Sequence, residues 1–137
     1  MRPFIDTNVW VYAVDADEPE KRGQALDLLR DVGRDAVISA QVMSEFHVTV
    51  TRKLARPLHA DVAKGQVQRL AQLTVVPTDH RLVLDAIDLA DRHQMSLWDA
   101  MILRAAVTGG CDVVYTEDLA DGAELDGITI TNPFRDG

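Results

Sequence analysis

Residues 98–116, WDAMILRAAVTGGCDVVYT, decide the fold. From Ala100 to Val107 the run is apolar nearly all round, the composition of a helix buried on every side. Gly109 and Gly110 suit a helix C-terminus, and residues 112–116, DVVYT, form the clearest strand in the chain. Cys111 reads as a small buried residue entering that strand. A buried helix that delivers the chain into an apolar strand calls for a sheet covered by helices.

Working outward, the same alternation recurs. A short strand is predicted near Pro3 to Asp6, and a helix through EKRGQALDLLRDVG puts Ala25, Leu28, Leu29 and Val32 on one face. DAVIS is a short β-rich run. AQVMSEFHVTVTRKL reads as a helix with Val42, Phe46 and Val50 in line, HADVAKGQVQRLAQL as a further helix interrupted by Gly65, and TVVP as a strand. HRLVLDAIDLADRH shows Val83, Ile87 and Ala90 on one face, and GITIT is the last strand. Strands alternating with helices of this length predict an α/β fold with a central, mostly parallel β-sheet flanked by helices. The 137 residues fit one domain, residues 1–137, with 47% hydrophobic and 26% charged residues and no linker or repeat. No run is long enough to span a bilayer and no signal peptide pattern opens the chain, so a soluble, intracellular, cytoplasmic protein is expected.

Twenty-two acids against fourteen bases give a formal charge of −8, which argues against a simple electrostatic clamp on nucleic acid. The placement of the acids carries more information than their number. In an open parallel sheet, ligands bind beyond the carboxyl ends of the strands. Asp6 ends the first strand, TEDL (residues 116–119) follows the DVVYT strand, and the helix carrying Asp99 must start at the same edge. Glu45 lies roughly 7 to 8 Å down its helix and can point into the same crevice. Each acid alone has a structural reading: Asp6-Thr7-Asn8 as turn and N-cap chemistry, Ser96 and Asp99 as a capping box, Glu45 as a solvated surface acid. Four acids converging on one edge repel one another unless a cation joins them.

These residues carry a resemblance. FIDTNVWVYA, SEFHVTVTRK, SLWDAMILRAA, CDVVYTEDL and GITITNPF occur in the order seen in PIN-domain ribonucleases, and the chain resembles in particular the VapC-type toxins of bacterial toxin–antitoxin systems. The resemblance runs from Ile5 to Phe134. It implies a single PIN-like domain, an acidic metal site at Asp6, Glu45, Asp99 and Asp118 with Asn8 and Thr116 as polar helpers, and Mg²⁺ or Mn²⁺ as cofactor. It further implies cleavage of RNA, homodimerisation, and neutralisation by a cognate antitoxin protein. Glu117 is left open, since its side chain leans away if that of Asp118 leans in.

An all-oxygen acid set suits hard Mg²⁺ or Mn²⁺, whereas Zn²⁺ calls for His or Cys at short spacing, which His47, His59, His80 and His93 do not provide. Such a cation would activate a water to attack phosphorus, leaving a 5′-phosphate and a 3′-hydroxyl. The basic cluster Arg52, Lys53 and Arg56 is either an RNA-binding patch or a cationic helix end. Trp10 and Tyr12, alternating with apolar residues just beyond Asp6, read as core packing or else as an aromatic rim that contacts a partner or base, and Trp98 is expected in the core. Among rival α/β readings, a phospho-receiver or an Asp-nucleophile phosphohydrolase needs a lysine late in the chain, and none follows Lys64. A catalytically idle PIN-like module that only binds a partner has the same sequence pattern.

Overall fold

The computed structural model describes residues 1–134; residues 135–137, the end of the expected domain, lie outside the described residues. In chain order the elements are β1 (Pro3–Ile5), α1 (Thr7–Tyr12), α2 (Pro19–Val32), β2 (Val37–Ser39), α3 (Ala40–Val48), α4 (Ala60–Leu70), β3 (Thr74–Val76), α5 (His80–His93), α6 (Leu97–Thr108), β4 (Val113–Tyr115), β5 (Glu124–Leu125) and β6 (Ile128–Thr131). A 3-10 turn, Gly33–Asp35, follows α2, and a π-helical turn, Thr49–Lys53, extends α3. The six strands form one sheet in the order β3-β2-β1-β4-β6-β5, parallel except for β5, which pairs antiparallel with β6. The short inner strands β1 and β2 are buried along their whole length, as expected where helices cover both faces of a sheet.

Chain order steps from β1 through β2 to β3 on one side and from β4 onward on the other. The direction of winding therefore reverses between β1 and β4, and a crevice opens at the carboxyl ends of these two strands. Asp6 N donates to the Tyr115 carbonyl at 3.0 Å, which extends the β1–β4 ladder to the residue that begins the crevice.

Burial of α6 follows its sequence: Ala100, Met101, Ile102, Leu103, Ala105 and Ala106 are all inside. Gly110 takes the left-handed conformation (φ 72°) that ends the helix. Gly109 serves a different purpose. A Cβ there would lie 2.8 Å from Val37 Cγ1 and 3.2 Å from Val76 Cγ2, so the missing side chain lets α6 approach β2 and β3. Gly109→Ala is therefore expected to destabilise the protein by about 1–3 kcal/mol through overpacking. Gly65→Ala, inside α4 with nothing within 4 Å, should stabilise it by about 0.5–1 kcal/mol. Paired thermal melts check the opposite signs.

Three expectations need correction. The buried face of α5 is Leu82, Ala86 and Leu89, while Ile87 is 43% exposed and Val83 and Ala90 are half-buried. Both sets satisfy a helical period, and packing against α6 selects the one displaced by a residue. Trp98 is not in the core: it stands 65% exposed in the first turn of α6, ahead of the buried run. The first strand stops at Ile5, because Asp6 is already the N-cap of α1 and accepts from Thr7 N at 2.7 Å.

Candidate active site

Asp6 is the centre of the crevice. It is 6% exposed, and both carboxylate oxygens are engaged: Oδ1 accepts from Thr7 N at 2.7 Å and Oδ2 from Thr116 Oγ1 at 2.8 Å. Burial pushes its pKa up from 3.8 to about 6, the Thr116 and Thr7 donors oppose that rise, and the negative charges of Asp118 and Glu45 add to it. The N-cap reading and the site reading of Asp6 are thus both realised by one side chain.

Thr116 continues β4 into the crevice and is fully buried. Besides donating to Asp6, its hydroxyl accepts from Asp118 N at 3.1 Å and from Asn8 Nδ2 at 3.4 Å. Asn8 Nδ2 also donates to Asp118 Oδ2 at 3.1 Å, which ties α1 to the turn after β4. The Asp118 carboxyl is raised above its ordinary value by burial, with Glu117, Asp99 and Glu45 adding to the rise and Asn8 opposing it.

Glu45 comes in from α3. Its Oε2 accepts from Thr7 Oγ1 at 3.3 Å and its Oε1 from Gln41 Nε2 at 2.7 Å. Gln41 is buried one turn earlier on the same helix, and its Nε2 also reaches the Trp98 carbonyl at 3.5 Å, next to Asp99. Ser96 caps α6 by accepting from Asp99 N at 3.1 Å. The Asp99 carboxylate makes no hydrogen bond among the described residues, so the reciprocal half of a capping box is missing and that charge is left facing Asp118.

Asp6, Glu45 and Asp118 therefore gather at the end of β1 within electrostatic reach of one another, and Asp99 joins them through Asp118. They do not close into a grip: among the described residues, no three His, Cys, Asp or Glu side chains stand close enough to hold a metal ion together. Two features of the donor set still fit a hydrated hard cation. It is all oxygen, and two buried carbonyl oxygens beside it, Asn8 Oδ1 and Gln41 Oε1, have no donor. Mg²⁺ keeps several waters and takes only one or two carboxylates directly, so it would bring donors to such acceptors.

Glu117 turns away. Its Oε1 accepts from Tyr12 Oη at 2.6 Å and its Oε2 from Lys21 Nζ at 3.0 Å. Of the predicted basic residues, Arg52 and Lys53 are exposed on the π-helical turn, and Lys53 lines a groove of about 310 Å³ that also contains Glu45. Arg56 is committed elsewhere: Nη2 and Nε donate to Asp17 Oδ1 at 2.8 and 3.1 Å. Thr7, Gln41, Tyr12 and Lys21 are site partners that the sequence reading missed. Gln41 could have been found, because it precedes Glu45 by four residues on one helix face.

Residues 4–120 match the family described as PIN domain. No curated protein sequence matches the chain. Among solved structures, VapC20 from Mycobacterium tuberculosis, described as a sarcin-ricin loop cleaving toxin, is similar with a TM-score of 0.69 and 21% identity over 85% of this chain and 91% of that one. A toxin–antitoxin complex from Klebsiella pneumoniae gives 0.66 and 20% over 96% and 97%. DNA-bound VapBC from Salmonella typhimurium gives 0.66 and 19% over 97% and 98%. At these identities the likeness is one of fold. With a family match spanning β1 to the turn after β4, and its acids at the switch point of a PIN-like α/β sheet, this chain belongs to the PIN-domain family.

Proposed function

We propose that the chain is a Mg²⁺- or Mn²⁺-dependent endoribonuclease acting as the toxin of a toxin–antitoxin module. The observation that carries this reading is the set of four acids brought by β1, α3, α6 and the turn after β4 to one switch-point crevice. Membership of the PIN family and the VapC-like fold support it. Asp6, Asp99 and Asp118 would hold the cation, with Glu45 completing the shell or orienting the attacking water. The cation, when bound, lowers the pKa of that water and offsets charge on the phosphate oxygens. Thr7 and Gln41 fix the Glu45 carboxylate from two sides, and Asn8 and Thr116 fix Asp118 and Asp6.

Lys53, in the groove it shares with Glu45, and Arg52 beside it would hold a flanking RNA phosphate. Arg56 would have to exchange Asp17 for phosphate, and exposed ion pairs are worth only about 0–1 kcal/mol. The expected partners are RNA, a second copy of the chain and an antitoxin. An apolar groove of about 600 Å³ between α1, α2 and α4, lined by Trp10, Leu26, Leu29 and Leu70 and edged by Arg22, Arg34 and Arg69, suits an amphipathic antitoxin segment carrying acids. Among the described residues no helix is long and apolar enough to cross a membrane; the cytoplasm is the proposed location.

Expression of the chain alone in a bacterium that shares its target should arrest growth. Asp99→Asn at equal protein level should relieve the arrest, and so should co-expression of the antitoxin. Arrest that persists unchanged in Asp99→Asn would detach toxicity from the acidic crevice and leave the chain closer to a partner-binding module.

A further inference from the structure

The turn that carries Asp118 is strapped to the end of α1 and the start of α2. Lys21 Nζ, at the start of α2, donates to Glu117 Oε2 at 3.0 Å and to Tyr12 Oη at 3.2 Å, while Tyr12 Oη donates to Glu117 Oε1 at 2.6 Å. The ammonium also sits 4.7 Å from the centroid of the Tyr12 ring and 5.8 Å from that of Phe134. These two rings pack edge to face at 4.9 Å. Both oxygens of Glu117 are thereby committed, and its side chain is only 23% exposed. Three elements meet on this one carboxylate: the end of α1, the start of α2 and, through Phe134, the chain after β6.

Successive residues of the turn face opposite ways. Glu117 goes to Lys21 and Tyr12, while Asp118 goes to Asn8 and the crevice. We infer that Lys21, with Tyr12, is a positioning residue: by gripping Glu117 it fixes the turn after β4 and so aims Asp118 at the cation site. The inference rests on the proposed cation site. It assigns roles to two residues outside the acidic set, and it explains why a second acid beside Asp118 does not enter the shell.

The alternative is that Lys21 and Glu117 act only as charges near the crevice, and the two cases differ in sign. If they act as a strap, Lys21→Met and Glu117→Gln break the same link. Both should then weaken Mn²⁺ binding, by about tenfold, the low end of what losing a partner outside the ligand shell costs. The double variant should be no weaker than either single one. Tyr12→Phe, which keeps the ring packing and the Lys21–Glu117 pair but loses both hydrogen bonds of the hydroxyl, should move the same way by less. If only charge matters, Lys21→Met adds net negative charge and tightens Mn²⁺ binding, Glu117→Gln weakens it, and the double variant returns to wild type.

Isothermal titration of the full chain with MnCl₂ at 25 °C, on variants shown by circular dichroism to be folded, reads this directly. Matching weakened affinities with a non-additive double variant support the strap. Opposite signs, or wild-type affinity in both single variants, overturn it while leaving the cation site standing. A wild-type chain that takes up no Mn²⁺ overturns the cation site and the strap together.

Discussion

Asp6→Asn is expected to make the metal-free protein more stable and to abolish the proposed RNA cleavage. Asp6 is buried at the end of β1, and its carboxyl stands at about 6 against 3.8 when exposed. At 1.36 kcal/mol per pH unit, the charged form costs the folded state on the order of 3 kcal/mol at neutral pH. An acid raised in the fold stabilises it while protonated, so in EDTA this contribution is lost as the pH climbs from 3.8 through about 6. Asparagine removes the charge and can still accept from Thr7 N. It cannot also accept the Thr116 hydroxyl with its amide nitrogen, a loss of about 1 kcal/mol. The charge is the larger effect. A net gain of about 1–2 kcal/mol, or about 3–8 °C in Tm, follows in EDTA at pH 7. In the same variant, RNA cleavage should fall by at least about 100-fold, since a direct ligand should matter no less than the outer partners whose removal costs about 10–100-fold. Differential scanning fluorimetry and a cleavage time course on one preparation check both halves. Loss of activity with a lowered Tm would instead mark Asp6 as structural.

Much of this arrangement was legible in the chain, for reasons that differ from residue to residue. The run of residues 98–116 gave α6 and β4 because nearly every side chain in it is apolar and the glycines end the helix where the strand must begin. Convergence of Asp6, Asp99 and Asp118 followed from topology alone: in a parallel sheet with helical crossovers, strand ends and the starts of returning helices share one edge. The face of α5 was not legible, because Leu82, Ala86 and Leu89 satisfy the helical period as well as Val83, Ile87 and Ala90 do, and only the neighbour decides. The hairpin β5–β6 was missed although its signal is local. Asp126-Gly127 between Leu125 and Ile128 is an Asp-Gly pair, and both residues adopt positive φ (51° and 82°), as a two-residue hairpin turn requires. The Lys21–Tyr12–Glu117 strap has no such signal, since its members are 9 and 96 residues apart from Lys21 and meet only in the folded chain.

The central claim is that the crevice at the end of β1 hydrolyses RNA with a divalent cation, and the chemistry of the cut ends tests it most directly. No histidine lines the crevice among the described residues, so the histidine pair that metal-free activation of the ribose 2′-hydroxyl commonly uses is not at hand there. Water delivered by a cation held at Asp6, Asp99 and Asp118 would instead attack phosphorus and break the P–O3′ bond, the 3′ oxygen leaving as the hydroxyl. Total bacterial RNA incubated with the purified chain should be cut in Mn²⁺ or Mg²⁺, with ends carrying 5′-phosphate and 3′-hydroxyl. It should stay intact in EDTA and with Asp6→Asn. Cleavage that continues undiminished in EDTA, or that leaves 2′,3′-cyclic phosphates, would contradict the account.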